Sequence, residues 1–226
     1  MKETRTIKAY VYKGFERFWH WMQSFLILFL ALTGFEIHGS YGLMGFESAV
    51  DLHNKAAWAF LVLIVFAIFW HLTTGEWKQY LPTTQNLRAQ AEFYIFGIFR
   101  NAPHPTKKTL ISKLNPLQRL VYLGLKILVI PVMVISGFFY MFYRYPQAST
   151  IRSANIQNLE TIALLHTLGA FLLIAFVIVH LYLITTGHTI TSNLKAMITG
   201  WEELEVDADA ENQKSQKHEE VKDEIK

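Results

Sequence analysis

Nine histidines occur in this 226-residue sequence. Five of them stand in or at the ends of apolar runs. They are His20 in RFWHW, His53 in DLHNKAAW, His71 in FWHLTTG, and His166 and His180 in the single stretch LLHTLGAFLLIAFVIVHLY at 164–182. A polar ring in an apolar helix is costly, and taken singly each reads most simply as a bond to a neighbouring helix. Their spacing says more. A helix rises about 1.5 Å and turns about 100° per residue, so His166 and His180 share a face roughly 21 Å apart. His53 and His71 likewise share a face, at roughly 27 Å.

Placed by depth, the five rings form two layers. His53 and His166 make an outer layer, and His20, His180 and His71 an inner one. Two neutral imidazoles from facing helices, walled by the apolar side chains of a bundle, suit the axial positions of a b-type haem. Two such haems stacked across a bilayer would carry electrons through it, with the 164–182 helix giving one ligand to each. Imidazole also suits zinc and copper. Those sites gather three ligands or add carboxylates, and no acid lies mid-span here. His38, His104, His188 and His218 read as interfacial or exposed.

The elements that must position these rings are four apolar runs: Phe18–Phe35, Ala56–Leu72, Leu117–Tyr143 and Ile162–Ile184. Each approaches the roughly 20 helical residues that cross a hydrocarbon core of about 30 Å. The composition agrees, with 52% hydrophobic and 15% aromatic residues. Cysteine is absent, which removes disulfides, thiolate metal sites, cysteine-held clusters and covalent c-type haem from this chain. The first run is not read as a signal peptide, because Glu36 and His38 close it and a long charged segment precedes it.

Charge sets the expected orientation. Lys and Arg concentrate in 1–17 and 73–116 and are sparse in 36–55 and 143–161, which predicts both termini and the long loop inside. The net charge of +3 divides between a basic body and an acidic tail. The expected fold is all-α: an integral membrane four-helix bundle with cytoplasmic N and C termini. Its parts are a cytoplasmic segment 1–17, a four-helix domain 18–200 with cytoplasmic loop 73–116, and an acidic tail 201–226 read as mostly disordered. Within the loop, AEFYIFGIFR (91–100) is amphipathic and suits the interface plane, with Pro103 and Pro105 ending it. Pro131 is expected to kink the third helix. Gly34, Gly137 and Gly169 suit either close approach of a flat ring or plain helix packing. Arg17, Arg144 and Arg152 suit haem propionates or surface anchoring. The tryptophans form an interfacial belt.

The segments RFWHW…LALTGFEIH, then DLH, then His-x13-His on the fourth helix, together resemble the bacterial cytochrome b561 superfamily over roughly residues 10–200. That family includes the membrane b subunits of nickel–iron hydrogenase, formate dehydrogenase and thiosulfate reductase. The resemblance implies that His20 and His180 ligate an inner haem b iron, and His53 and His166 an outer one. It implies electron transfer between a quinone, menaquinone or ubiquinone, and an extracytoplasmic redox partner. Such a partner would be a multihaem cytochrome c, a hydrogenase or a molybdoenzyme, with the chain in the bacterial inner membrane. His71 departs from the four-histidine pattern. It reads as a helix-end histidine, an extra ligand or part of a quinone site with Glu76, Lys78, Gln79 and Tyr80. The chain carries no hydride site, flavin motif or cluster ligands, so an electron-transfer subunit is expected rather than a complete enzyme, and no nucleic acid partner. The alternative is a stand-alone quinone-linked oxidoreductase, such as a superoxide-oxidising cytochrome. A transporter or sensor fits less well, because the mid-span regions are nearly pure hydrocarbon.

Overall fold

The computed structural model describes residues 4–100, 102, 105–106, 113–144, 159–187 and 189–207. A strand β1 (Thr4–Tyr10) leads into α1 (Gly14–Ile37) and α2 (Phe46–Thr74). A 3₁₀ turn (Glu76–Tyr80) follows, then α3 (Leu87–Glu92), which runs on through a π-helical turn to Arg100. α4 (Pro116–Gly124) joins α5 (Ile130–Arg144) through a second π-helical turn (Leu125–Val129), so the two make one rod. Then come α6 (Leu159–Ile184), α7 (Ser192–Thr199) and β2 (Trp201–Asp207). Among the described residues, four helices are long and apolar enough to cross a membrane: Gly14–Ile37, Phe46–Thr74, Pro116–Phe142 and Leu159–Ile184. Their outward Phe25, Val65, Ile127 and Leu164 are exposed, as suits lipid contact.

The helix ends follow from local chemistry. At α1 the Lys13 amide donates to Glu16 Oε2 at 2.7 Å, filling one of the acceptorless positions of a helix start. Glu36, buried at the far end of α1, accepts from the amides of Leu43, Met44 and Gly45 at 2.8, 2.6 and 2.8 Å through one oxygen. Those amides lead into α2, so one carboxylate closes the outer turn and meets the positive end of the next helix. α2 therefore starts ten residues before the apolar run at Ala56 and carries His53 within it. It ends at Gly75, whose φ of 75° suits glycine. α4 opens with Asn115 and Gln118 in reciprocal side chain–backbone bonds of 2.8 and 3.0 Å and Pro116 at the first position.

The chain around Pro131 holds the π-helical turn just before it. Proline lacks the amide for the carbonyl four residues back, and a wider turn accommodates its ring. The amphipathic loop segment packs on the start of α4, where Asn115 Nδ2 donates to the Tyr94 hydroxyl at 2.9 Å. Its Ile95, Phe96 and Phe99 remain exposed.

One expectation is corrected. The stretch from 201 does not begin as unstructured chain: 201–207 form β2, antiparallel to β1, with Lys8 opposite Glu203 and Ile7 opposite Leu204. The Lys8–Glu203 pair sets opposite charges across the ladder, and Leu204 buries against Ala9 and Val11. Residues 208–226 lie outside the described part, as do Pro103, His104, Arg152, His188 and His218 and the side chain of Arg144.

Within the bundle, α1 packs on α2 and α5 on α6. Leu26, Ala56, Phe60 and Leu63 form the core of the first pair. Among the described residues the two pairs approach each other less closely, bridged by rings such as Phe35–Phe171 at 6.0 Å and Trp58–Phe138 at 5.5 Å. The histidines sit along that seam.

Candidate functional site

The outer layer is assembled by a repeated local device. His53 on α2 and His166 on α6 face each other with ring centroids 6.3 Å apart. Behind His53 stands Thr33 of α1, fully buried, its hydroxyl 2.9 Å from Nδ1. That hydroxyl donates to the Phe29 carbonyl at 2.9 Å, so toward the ring it accepts, and Nδ1 must carry the proton. Behind His166 stands Ser136 of α5, its hydroxyl 2.9 Å from Nδ1 and donating to the Val132 carbonyl at 2.5 Å. The same logic protonates Nδ1 there. Both rings are thereby set in the tautomer whose Nε2 lone pair is free for a metal.

A glycine follows each hydroxyl. A Cβ on Gly34 would lie 3.6 Å from His53 Cε1, and one on Gly137 would lie 3.4 Å from His166 Cε1. Those are ordinary van der Waals distances, so each glycine lies directly against an imidazole without a Cβ being excluded there. At Gly169 the space is taken by the Met133 side chain, which is helix packing.

The inner layer is built differently. His20 on α1 and His180 on α6 have centroids 6.1 Å apart. Phe176, one turn before His180, stacks on it at 5.5 Å. Nδ1 of His20 is buried and has no protein partner. No hydrogen bond joins the rings of either pair among the described residues. A metal–imidazole bond is about 2 Å, and each ring centroid lies roughly 1 Å beyond its nitrogen, so two rings on one ion stand about 6 Å apart. Both pairs have that separation.

His71 is placed apart from them. Its Nδ1 lies 2.6 Å from the Ala67 carbonyl, which can only accept, so Nε2 is the acceptor that the Tyr80 hydroxyl faces at 3.3 Å. Both nitrogens are engaged, and Trp19 and Trp70 press on the ring. Among the described residues, no group of three His, Cys, Asp or Glu side chains is arranged to hold a metal ion.

Around His71 the polar residues of the inner loop gather. Glu76 pairs with Lys13 at 3.0 Å and Lys113 at 3.2 Å, and Lys113 also reaches Glu16 at 2.7 Å. Burial pushes the Glu76 carboxyl up, but the hydrogen bond from Lys13 and the charge of Lys113 outweigh it and hold it below the usual range. Burial raises the Tyr80 phenol, and the Glu16 charge adds to this. Lys78 is exposed, and among the described residues no ion pair joins it to the cluster. Arg17 donates to the Ile198 carbonyl at 2.5 Å and to the Tyr10 hydroxyl at 3.3 Å, pinning α7 to α1. His38 lies 3.4 Å from the Thr167 hydroxyl.

Two features of the site were not read from the sequence. Thr33 and Ser136 are visible as the matching LTGF (32–35) and ISGF (135–138) of the first and third spans. Lys126, at the second π-helical turn, places Nζ 3.2 Å from the Tyr80 ring centroid and 5.1 Å from that of Trp19.

Four spans with paired imidazoles between them define a membrane b-type cytochrome, and the chain belongs to the prokaryotic cytochrome b561 family, whose model matches residues 11–200. It is similar to the Escherichia coli (strain K12) protein named "Putative cytochrome YdhU", at 29% identity over 201 residues, covering 86% of this chain and 74% of that one. The family carries haem b and transfers electrons in a membrane. The donor set, the 6.1 and 6.3 Å separations and the buried unpartnered Nδ1 of His20 fit that group.

Proposed function

We propose that this chain is a dihaem cytochrome b subunit. It passes electrons between the quinone pool and an extracytoplasmic redox subunit across the bacterial inner membrane. His20 and His180 would hold the inner haem, and His53 and His166 the outer one. Haem b, when bound, supplies a one-electron ferric/ferrous couple. The observation that carries the reading is the pair of matched His–His separations at two depths of one seam. Thr33 and Ser136 fix the outer rings in the ligating tautomer and orient them. Oxidation of a menaquinol or ubiquinol would release two electrons and two protons. The electrons would go outward to a multihaem cytochrome c, hydrogenase or molybdoenzyme. Glu76, Lys78, Tyr80 and His71 would offer the polar groups for a quinone head, with Lys78 contributing only charge.

The test is haem b per chain by pyridine haemochromogen assay on protein produced with ample haem. About two are expected. His166→Ala should lose one and keep the other, while His71→Ala should keep both, because its nitrogens are already engaged. A chain without haem under these conditions would sink the reading. Quinol or superoxide turnover by the purified chain alone would replace the subunit reading with the stand-alone one.

A further inference from the structure

The third span carries a cation where membrane helices rarely do. Lys126 lies ten residues beyond Pro116, roughly 15 Å along the helix. A lysine near a span end ordinarily runs its stem outward to put the ammonium in the headgroups. Here the ammonium turns inward, onto Tyr80 at 3.2 Å and Trp19 at 5.1 Å from the ring centroids. The turn that presents it is π-helical, a local widening often found at functional sites.

Among the described residues no carboxylate balances it. Glu76 and Glu16 are already taken by Lys13 and Lys113, and among the described residues no acid lies within ion-pairing distance of Lys126. Aromatic faces attract an ammonium but give it no oxygen acceptor, and it has three donors to satisfy. Its neighbours are also polar toward the same place. Tyr80 presents its hydroxyl to His71 Nε2, and His71 is tied through Nδ1 to Ala67. Trp19 is adjacent in the chain to His20 and packs on His71, so the cluster borders the inner histidine pair.

We propose that Lys126, with Tyr80 and His71 beside it, forms an oxyanion site at the inner end of the bundle, built for a ligand that the chain does not itself contain. Its ligand is a negatively charged or proton-accepting oxygen. Two sources share that chemistry: a carbonyl oxygen of a quinone head and a haem propionate. The quinone source rests on the function proposed above; the propionate source rests only on the family's haem. The ammonium would place charge on that oxygen, and the Tyr80 hydroxyl would turn its one proton from His71 Nε2 to it.

The experiment uses the full chain in lipid nanodiscs, as wild type, Lys126→Met, Lys126→Arg and Tyr80→Phe. Three quantities are measured: haem per chain, the midpoint potential of each haem, and the decylubiquinol concentration that half-saturates haem reduction. If the oxygen is the quinone's, Lys126→Met raises that concentration about ten- to a hundredfold, the loss expected for one charged hydrogen bond. Haem content and potentials then stay put, and Lys126→Arg recovers most of the affinity. If the oxygen is a propionate, Lys126→Met lowers the inner-haem potential or releases that haem and leaves quinol dependence unchanged. Wild-type values of all three in Lys126→Met would overturn the site and leave the lysine a cation–π prop. Should that variant fail to fold, Lys126→Gln and Tyr80→Phe decide: wild-type behaviour in both overturns the site, and a change in either of the directions above supports it. A wild type that no quinol reduces, with a potential shift still seen in the variant, defeats the quinone function but not the site.

Discussion

At the scale of single residues, the outer histidine pair rests on two hydroxyls rather than on the imidazoles alone. Thr33 and Ser136 each spend their proton on their own helix and accept from a neighbouring imidazole. Losing such an outer partner costs a metal site roughly 10–100-fold in affinity. Thr33→Val and Ser136→Ala are therefore expected to weaken haem retention at the outer site by that order and to spare the inner one. Haem per chain after dilution, with the two haems resolved by low-temperature spectra, checks this. The histidines were legible because helix geometry turns sequence spacing into depth and face. The hydroxyls were not, since a Thr or Ser in an apolar helix ordinarily bonds back to its own carbonyls, as these also do. Lys126 was not legible either, because its inward turn depends on the 3₁₀ turn that delivers Tyr80 from elsewhere in the chain.

At the scale of elements, the four spans follow from apolar length, but their ends do not. α2 starts ten residues before its apolar run, behind a turn whose amides at Leu43, Met44 and Gly45 find their acceptor in Glu36, an interaction that no hydropathy run reveals. The inner end is closed similarly. Glu76 and Glu16 bind Lys13 and Lys113, joining the start of α1, the turn after α2 and the approach to α4. Glu76 has its carboxyl pKa depressed in the fold. A depressed acid contributes stability above its unfolded value of about 4.3, and that contribution fades as pH falls through the lower folded value. Glu76→Gln should then lower the melting temperature at pH 7, by the equivalent of about 1–2 kcal/mol. The gap from wild type should narrow toward zero as pH falls below about 4. Loss of the haem absorbance band on heating, recorded across pH, measures it. A gap that holds at low pH would mean that packing, not charge, is what the substitution removes.

At the scale of the whole molecule, the two chain ends constrain each other. β1 and β2 pair residue for residue from Thr4–Asp207 to Tyr10–Trp201, and Arg17 and Trp21 of α1 hold the carbonyls of Ile198 and Met197 on α7. That pairing requires the ends of the bundle domain to lie on one side of the membrane, as four spans also require. A ribbon of two strands is marginal by itself, so here it is sustained by its attachment to the helices. Which side it occupies is a matter of charge. Lys and Arg crowd the segments flanking the inner histidines and thin out beside the outer ones, and cytoplasmic loops carry that excess. The chain has no cysteine, so single cysteines are clean reporters. In intact cells, Ser40→Cys in the α1–α2 turn should react with a membrane-impermeant maleimide. Gln85→Cys in the middle loop should react only after the membrane is opened. Reversed labelling would put the Lys126 cluster on the extracytoplasmic side, and any quinol protons released there would leave the cell without charge crossing the bilayer. The labelling therefore decides more than topology. Under the proposed function, with the inner pair cytoplasmic and the partner outside, each electron would cross the low-dielectric core between the two histidine layers and so move charge across the membrane potential.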